Sequence, residues 1–177
     1  MKALLFVLLS SCIYTMPQNI RGMPVGSSPS GGWISQAVVW KKPIDVYISE
    51  EVFDFLNEDT SFAMHWWNTI LGCRLFVPTV DENNADVIVI KSKNNEKLMA
   101  QVSTKRVKKN HRAVIHYINF ELKSLRLPTM IHELGHVLGL DHDENKYSVM
   151  FHQINKITRK THLPQKTITI LRTFYCH

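Results

Sequence analysis

From Pro43 to Ser49 apolar and polar residues alternate, with Ile44, Val46 and Ile48 on one face, the period-2 signature of a strand. Over residues 51–71 the period lengthens: Phe55, Phe62, Trp66 and Ile70 recur at helical intervals, and Gly72 is a suitable stop. His65, Trp66 and Trp67 within this helix read as packing residues, since aromatic side chains at helical spacing usually face a core. Two β-type runs follow, Arg74 to Val80 and Asp86 to Ile90; the second is continuously apolar, as in a strand covered on both faces. Leu98 to Thr104 is more polar and suits a sheet edge, and Ala113 to Phe120 is a strong strand. Pro128 is expected to open a helix to about Leu138, and Pro164, at a permitted first-turn position, a closing helix to about Tyr175. This order predicts an α/β layer fold with a mostly parallel sheet.

The ends of the chain read differently. Lys2 followed by Ala3 to Leu9, an apolar run too short to span a bilayer, forms an export signal over residues 1–12. Leu9-Ser10-Ser11-Cys12 resembles a bacterial lipobox, which would make Cys12 a lipid-bearing residue; cleavage a few residues later, as in a simple secreted protein, is the alternative. Residues 13–32, rich in Pro, Gly and Ser from Pro17 on, read as a linker, and the domain proper as residues 33–177. An apolar content of 45% with 20% charged residues suits a globular domain and argues against general disorder. The net charge of +6 reads first as mere solubility and only secondarily as a preference for an anionic surface as partner; no specific nucleic acid is implied. Residues 91–112, dense in Lys and Arg, read first as a solvated rim of loops. Cys73 and Cys176 could pair in an oxidising compartment or remain buried thiols.

The chemistry lies in the segment HELGHVLGLDH from His132 to His142. At about 100° per residue, positions four apart lie within about 40° of each other, so His132 and His136 point the same way from one helix. Glu133 sits about 60° round from His136, within reach of a water on the same metal. Ile131, Leu134 and Leu138 would bury the other face. A catalytic zinc uses three protein ligands and keeps one position open. Gly139 can adopt the left-handed conformation that ends a helix and turns the chain back, bringing His142 round as the third ligand.

This extended pattern resembles the HExxHxxGxxH motif of the metzincin zinc peptidases. The resemblance implies a twisted, mostly parallel sheet with an antiparallel edge strand, an active-site helix and a C-terminal helix. It also implies a methionine turn supporting the site, for which Met150 is the candidate. The spacing from His142 to Met150 is similar to the matrixin branch, whereas Asp143 directly after the third histidine looks like the adamalysin branch. Residue 151 is Phe, where some branches place tyrosine after the methionine, and no propeptide cysteine motif is visible.

The activity so implied is zinc-dependent endopeptidase chemistry on a peptide or protein substrate, with Glu133 as general base; a calcium requirement is left open. By the same resemblance, an extended peptide would lie along the edge strand Leu98 to Thr104, and residues 151–163 would wall the main specificity pocket. Two other readings stay open: an amidase acting on cell-wall or envelope peptides through the same site, and a non-catalytic zinc-binding surface lipoprotein. The expected location is outside the cytoplasm, either lipid-anchored through Cys12 or secreted.

Overall fold

The computed structural model describes residue 40 and residues 43–92, 100–107, 110–117, 123–152 and 162–176. The expected export signal, Cys12 and the linker lie outside the described residues, as does most of the expected pocket wall. The elements are β1 (Ile44–Ile48), α1 (Glu50–Leu71), β2 (Phe76–Pro78), β3 (Val87–Lys91), β4 (Ala100–Val107), β5 (Asn110–Tyr117), α2 (Lys123–Val137) and α3 (Gln165–Tyr175). They form a five-stranded sheet in the order β2-β1-β3-β5-β4. The β1–β2, β1–β3 and β3–β5 pairs are parallel, and β4 runs antiparallel to β5 at the edge. The mixed α/β architecture and its antiparallel edge are those expected. Among the described residues, no helix is long and apolar enough to cross a membrane.

Local chemistry explains the joints. Gly72 caps α1 at φ 71°, its amide donating to the Asn68 and Thr69 carbonyls. The Asn68 side chain then clamps the connection to β2, accepting from the Leu75 and Phe76 amides and donating to the Phe76 carbonyl. At the far end of the chain, Arg172 of α3 donates to the Ile70 and Leu71 carbonyls, satisfying the end of α1. Beside this contact Cys73 and Cys176 form a disulfide, with Cα atoms 5.7 Å apart and a sequence separation of 103. A crosslink closing so long a loop stabilises a fold by about 2–4 kcal/mol, mainly by restricting the unfolded chain.

Two expectations need correction. The helix α1 is where its period places it, but it buries the stripe Val52, Leu56, Thr60, Ala63, Met64, Trp67 and Leu71. Phe55 and Phe62 instead remain 53% and 54% exposed, with Trp66 and Ile70 only partly covered. Two apolar stripes run side by side on this helix, and the buried one contains the small residues Thr60 and Ala63, which permit close approach of neighbouring elements. Phe55 is partly shielded by the Arg126 guanidinium, 6.0 Å from its ring centroid. The second correction concerns α2, which starts at Lys123, so that Pro128 lies inside it. A proline there removes one bond, the one to the carbonyl four residues earlier. Near the amino end of a 15-residue helix, that loss leaves the rest of the hydrogen-bond ladder intact.

Candidate active site

The carboxyl half of α2 carries His132, Glu133 and His136, all buried. Trp67 of α1, fully covered, donates its indole N–H to the Ile131 carbonyl at 2.9 Å and so ties the two helices together at this level. The expected packing role of Trp67 is the observed one.

Gly139, at φ 85°, ends the helix in a Schellman motif. The Leu140 amide returns to the Gly135 carbonyl at 3.1 Å and the Gly139 amide to the His136 carbonyl at 2.9 Å. The next two carbonyls are met by side chains from distant parts of the chain: Trp40 Nε1 donates to Val137 at 2.8 Å, and the Tyr175 hydroxyl to Leu138 at 3.4 Å. With its terminal carbonyls satisfied, the turn holds a fixed shape and delivers His142 to the two helical histidines. His132, His136 and His142 each offer a ligand atom, all within 4.8 Å of one another.

The hydrogen bonds fix the imidazole tautomers. His132 Nδ1 is 2.8 Å from the Val149 carbonyl and His136 Nδ1 is 2.7 Å from the Leu140 carbonyl. A carbonyl only accepts, so each Nδ1 carries the proton and each Nε2 a lone pair. These two Nε2 atoms lie 3.0 Å apart. Two lone pairs at that distance repel unless a cation sits between them. His142 Nε2 is likewise buried without a hydrogen-bond partner. Burial lowers the pKa of all three: His132 well below its ordinary value with His136 adding to the effect, His136 to about 4, and His142 downward despite the opposing charge of Asp141. They are therefore neutral at physiological pH, the form that ligates a metal. Three convergent neutral nitrogens fit zinc, for which imidazole is a preferred donor.

Glu133 is 2% exposed, and its Oε2 is buried without a hydrogen-bond partner. Burial raises its pKa to about 8, opposed by a hydrogen bond from the Val102 amide of β4. The carboxyl thus lies between the metal ligands and the edge strand. Asp143, the adamalysin-like residue, has a local role: its carboxylate accepts from the Asn145 amide at 2.9 Å, and its own amide donates to the Met150 carbonyl at 2.8 Å. That contact ties the loop after His142 to the turn containing Met150.

Met150 is fully buried. Its partner is a residue that sequence reasoning passed over. A Cβ at Gly135 would lie 2.4 Å from Met150 Sδ and 3.2 Å from Trp67 Cζ2, so any side chain there would have to displace the thioether and press on the indole. The available signal was a glycine in a helix interior, where it costs about 1 kcal/mol relative to alanine unless packing demands it. Gly135→Ala is accordingly expected to destabilise the protein by about 1–3 kcal/mol through overpacking, despite alanine's better helix propensity. Denaturant unfolding of both forms measures this, and a variant more stable than wild type would show that Met150 moves aside freely.

The fold is consistent with a metzincin-like catalytic domain, and the three histidines of its HExxHxxGxxH segment could hold a zinc ion. The family model of the matrixin peptidases matches residues 93–176, a little under half of the chain, from the approach to β4 through α3. That span contains the three histidines, Glu133 and Met150. No curated protein matches the chain. The matrixin match and the histidine cluster support a zinc metallopeptidase, whose substrates are peptides or proteins.

Proposed function

We propose that this protein is a zinc-dependent endopeptidase in which His132, His136 and His142 hold the metal and Glu133 is the general base. The observation that carries the proposal is the convergence of three neutral imidazoles beside a buried carboxyl with an unpartnered oxygen. Zinc, when bound, supplies a Lewis acid that polarises the scissile carbonyl and lowers the pKa of water towards ~7. Glu133 accepts a proton from the attacking water as the carbon–oxygen bond forms, then returns it to the nitrogen as the carbon–nitrogen bond breaks. The Val102 amide holds the carboxyl in place for both transfers. β4 ends the sheet, and its outer edge can pair with an extended substrate running antiparallel to it. Met150, packed against Gly135, supports the ligand-bearing helix from below. Export, with Cys12 as the lipid attachment point, belongs to the same proposal and rests on the pattern of residues 1–12.

The test is a digest panel with zinc-loaded protein, pairing unstructured casein with purified cell-wall peptides. Internal cleavage of casein is the expected result. Cleavage of cell-wall peptides alone would transfer the same chemistry to an envelope amidase, and cleavage of neither would favour the binding-lipoprotein reading.

A further inference from the structure

A fourth histidine stands at the site and no step above uses it. The ring centroid of His152 is 6.4 Å from that of His142, with the planes at 62°. It lies outside the set of mutually close ligand atoms that His132, His136 and His142 form. Unlike the buried pair on α2, it is exposed. His152 is therefore a solvent-facing histidine next to the third member of the cluster.

Its backbone is anchored. The turn leading to it is closed by hydrogen bonds from the Phe151 amide to the Ser148 carbonyl, at 3.2 Å, and from the Asp143 amide to the Met150 carbonyl. The Phe151 ring lies 4.4 Å from the His152 ring, centroid to centroid, tilted by 50°. That contact limits the rotamers of the imidazole. A donor held beside the reacting group need not reorganise when charge develops, which is the condition for strong oxyanion stabilisation.

We propose that His152 is a further catalytic residue, donating a ring N–H to the substrate carbonyl oxygen as that oxygen becomes an oxyanion. The neutral ring suffices, because one of its nitrogens carries a proton in either tautomer. This inference rests on the endopeptidase reading.

The experiment compares wild type, His152→Leu and His152→Gln. Each is assayed for peptide hydrolysis, for zinc affinity by chelator competition, and for binding of a phosphinic pseudo-peptide, whose tetrahedral anionic phosphorus group mimics the attacked carbonyl. His152→Leu should lose about 10²–10³-fold in kcat, as expected for removal of one oxyanion donor, with KM little changed. Affinity for the phosphinic compound should fall in parallel while zinc affinity stays at the wild-type value. His152→Gln retains a side-chain N–H and should recover part of both losses. Unchanged kcat and phosphinic affinity in His152→Leu would overturn the proposal, and so would lost zinc, which would make His152 a ligand. A wild type that binds zinc but neither cleaves peptides nor binds the phosphinic compound would overturn the endopeptidase reading itself, a result visible before any variant is compared.

Discussion

Glu133→Gln is expected to reduce peptide hydrolysis by about 10²–10⁴-fold while making the metal-free protein more stable. The first effect follows from the loss of the carboxylate that takes and returns the water proton. The second follows from burial. In the folded, metal-free protein the Glu133 carboxyl titrates at about 8, against an ordinary value of 4.5. The unfolded chain therefore gives up this proton first as pH rises. The neutral carboxyl carries no penalty below the ordinary value, and the folded state loses stability progressively from there up to about 8. Each unit of that window corresponds to about 1.4 kcal/mol, so the full effect is a few kcal/mol. Gln has no such titration. The melting temperature of metal-free Glu133→Gln should thus match that of wild type in acid and exceed it increasingly towards pH 8. With zinc bound, the nearby dication favours the carboxylate and the difference should shrink. Calorimetric scans over pH, with and without zinc, alongside activity on casein, measure all of this. Equal hydrolysis by the two proteins would remove Glu133 as base, whereas a stability difference independent of pH would mean that its burial is not the cause.

That both effects belong to one residue reflects a site largely legible in the sequence. Helical geometry obliges His132 and His136 to share a face, and Gly139 is the residue a Schellman turn requires, so the convergence of three histidines follows from spacing alone. The alternation of Ile44, Val46 and Ile48 and the polar character of β4 likewise identified a covered strand and an edge. What spacing does not contain is contact between remote segments. The Cys73–Cys176 pairing depends on α3 docking at the end of α1, a contact between residues 103 apart, and the sequence left it open. Trp40 meets Val137 across a comparable distance along the chain, so its capping role was invisible. On α1 two apolar stripes competed, and the larger side chains of Phe55 and Phe62 outweighed Thr60 and Ala63, which the packing in fact selects. Pro128 obscured the start of α2 because a proline's preference for the first turn is a preference and the neighbouring contacts override it. Gly135 acquires meaning only once Met150 and Trp67 are seen against it.

The metal itself gives a comparably large expected change in stability, and His142 is the residue on which it turns. His142 is the one member of the histidine cluster outside α2, held by the Gly139 turn and by the tie between Asp143 and Met150. A zinc ion binds the folded site and not the unfolded chain, so it stabilises wild type by about 4 kcal/mol at a thousandfold excess over its dissociation constant. For a domain of this size that is roughly 8–16 °C in melting temperature, at roughly 2–4 °C per kcal/mol. His142→Ala leaves the His132 and His136 Nε2 atoms in place, 3.0 Å apart, but brings the site below the three ligands a catalytic zinc uses. The zinc-dependent rise should then nearly vanish at the same metal concentration, and hydrolysis with it. The metal-free variant should melt close to metal-free wild type, because the side chain removed leaves behind no buried nitrogen in need of a partner. This pairing separates lost ligation from lost folding. Unchanged zinc content in His142→Ala by elemental analysis would exclude His142 from the site, while an equal drop in both metal-free and zinc-loaded melting temperatures would assign it a purely structural role.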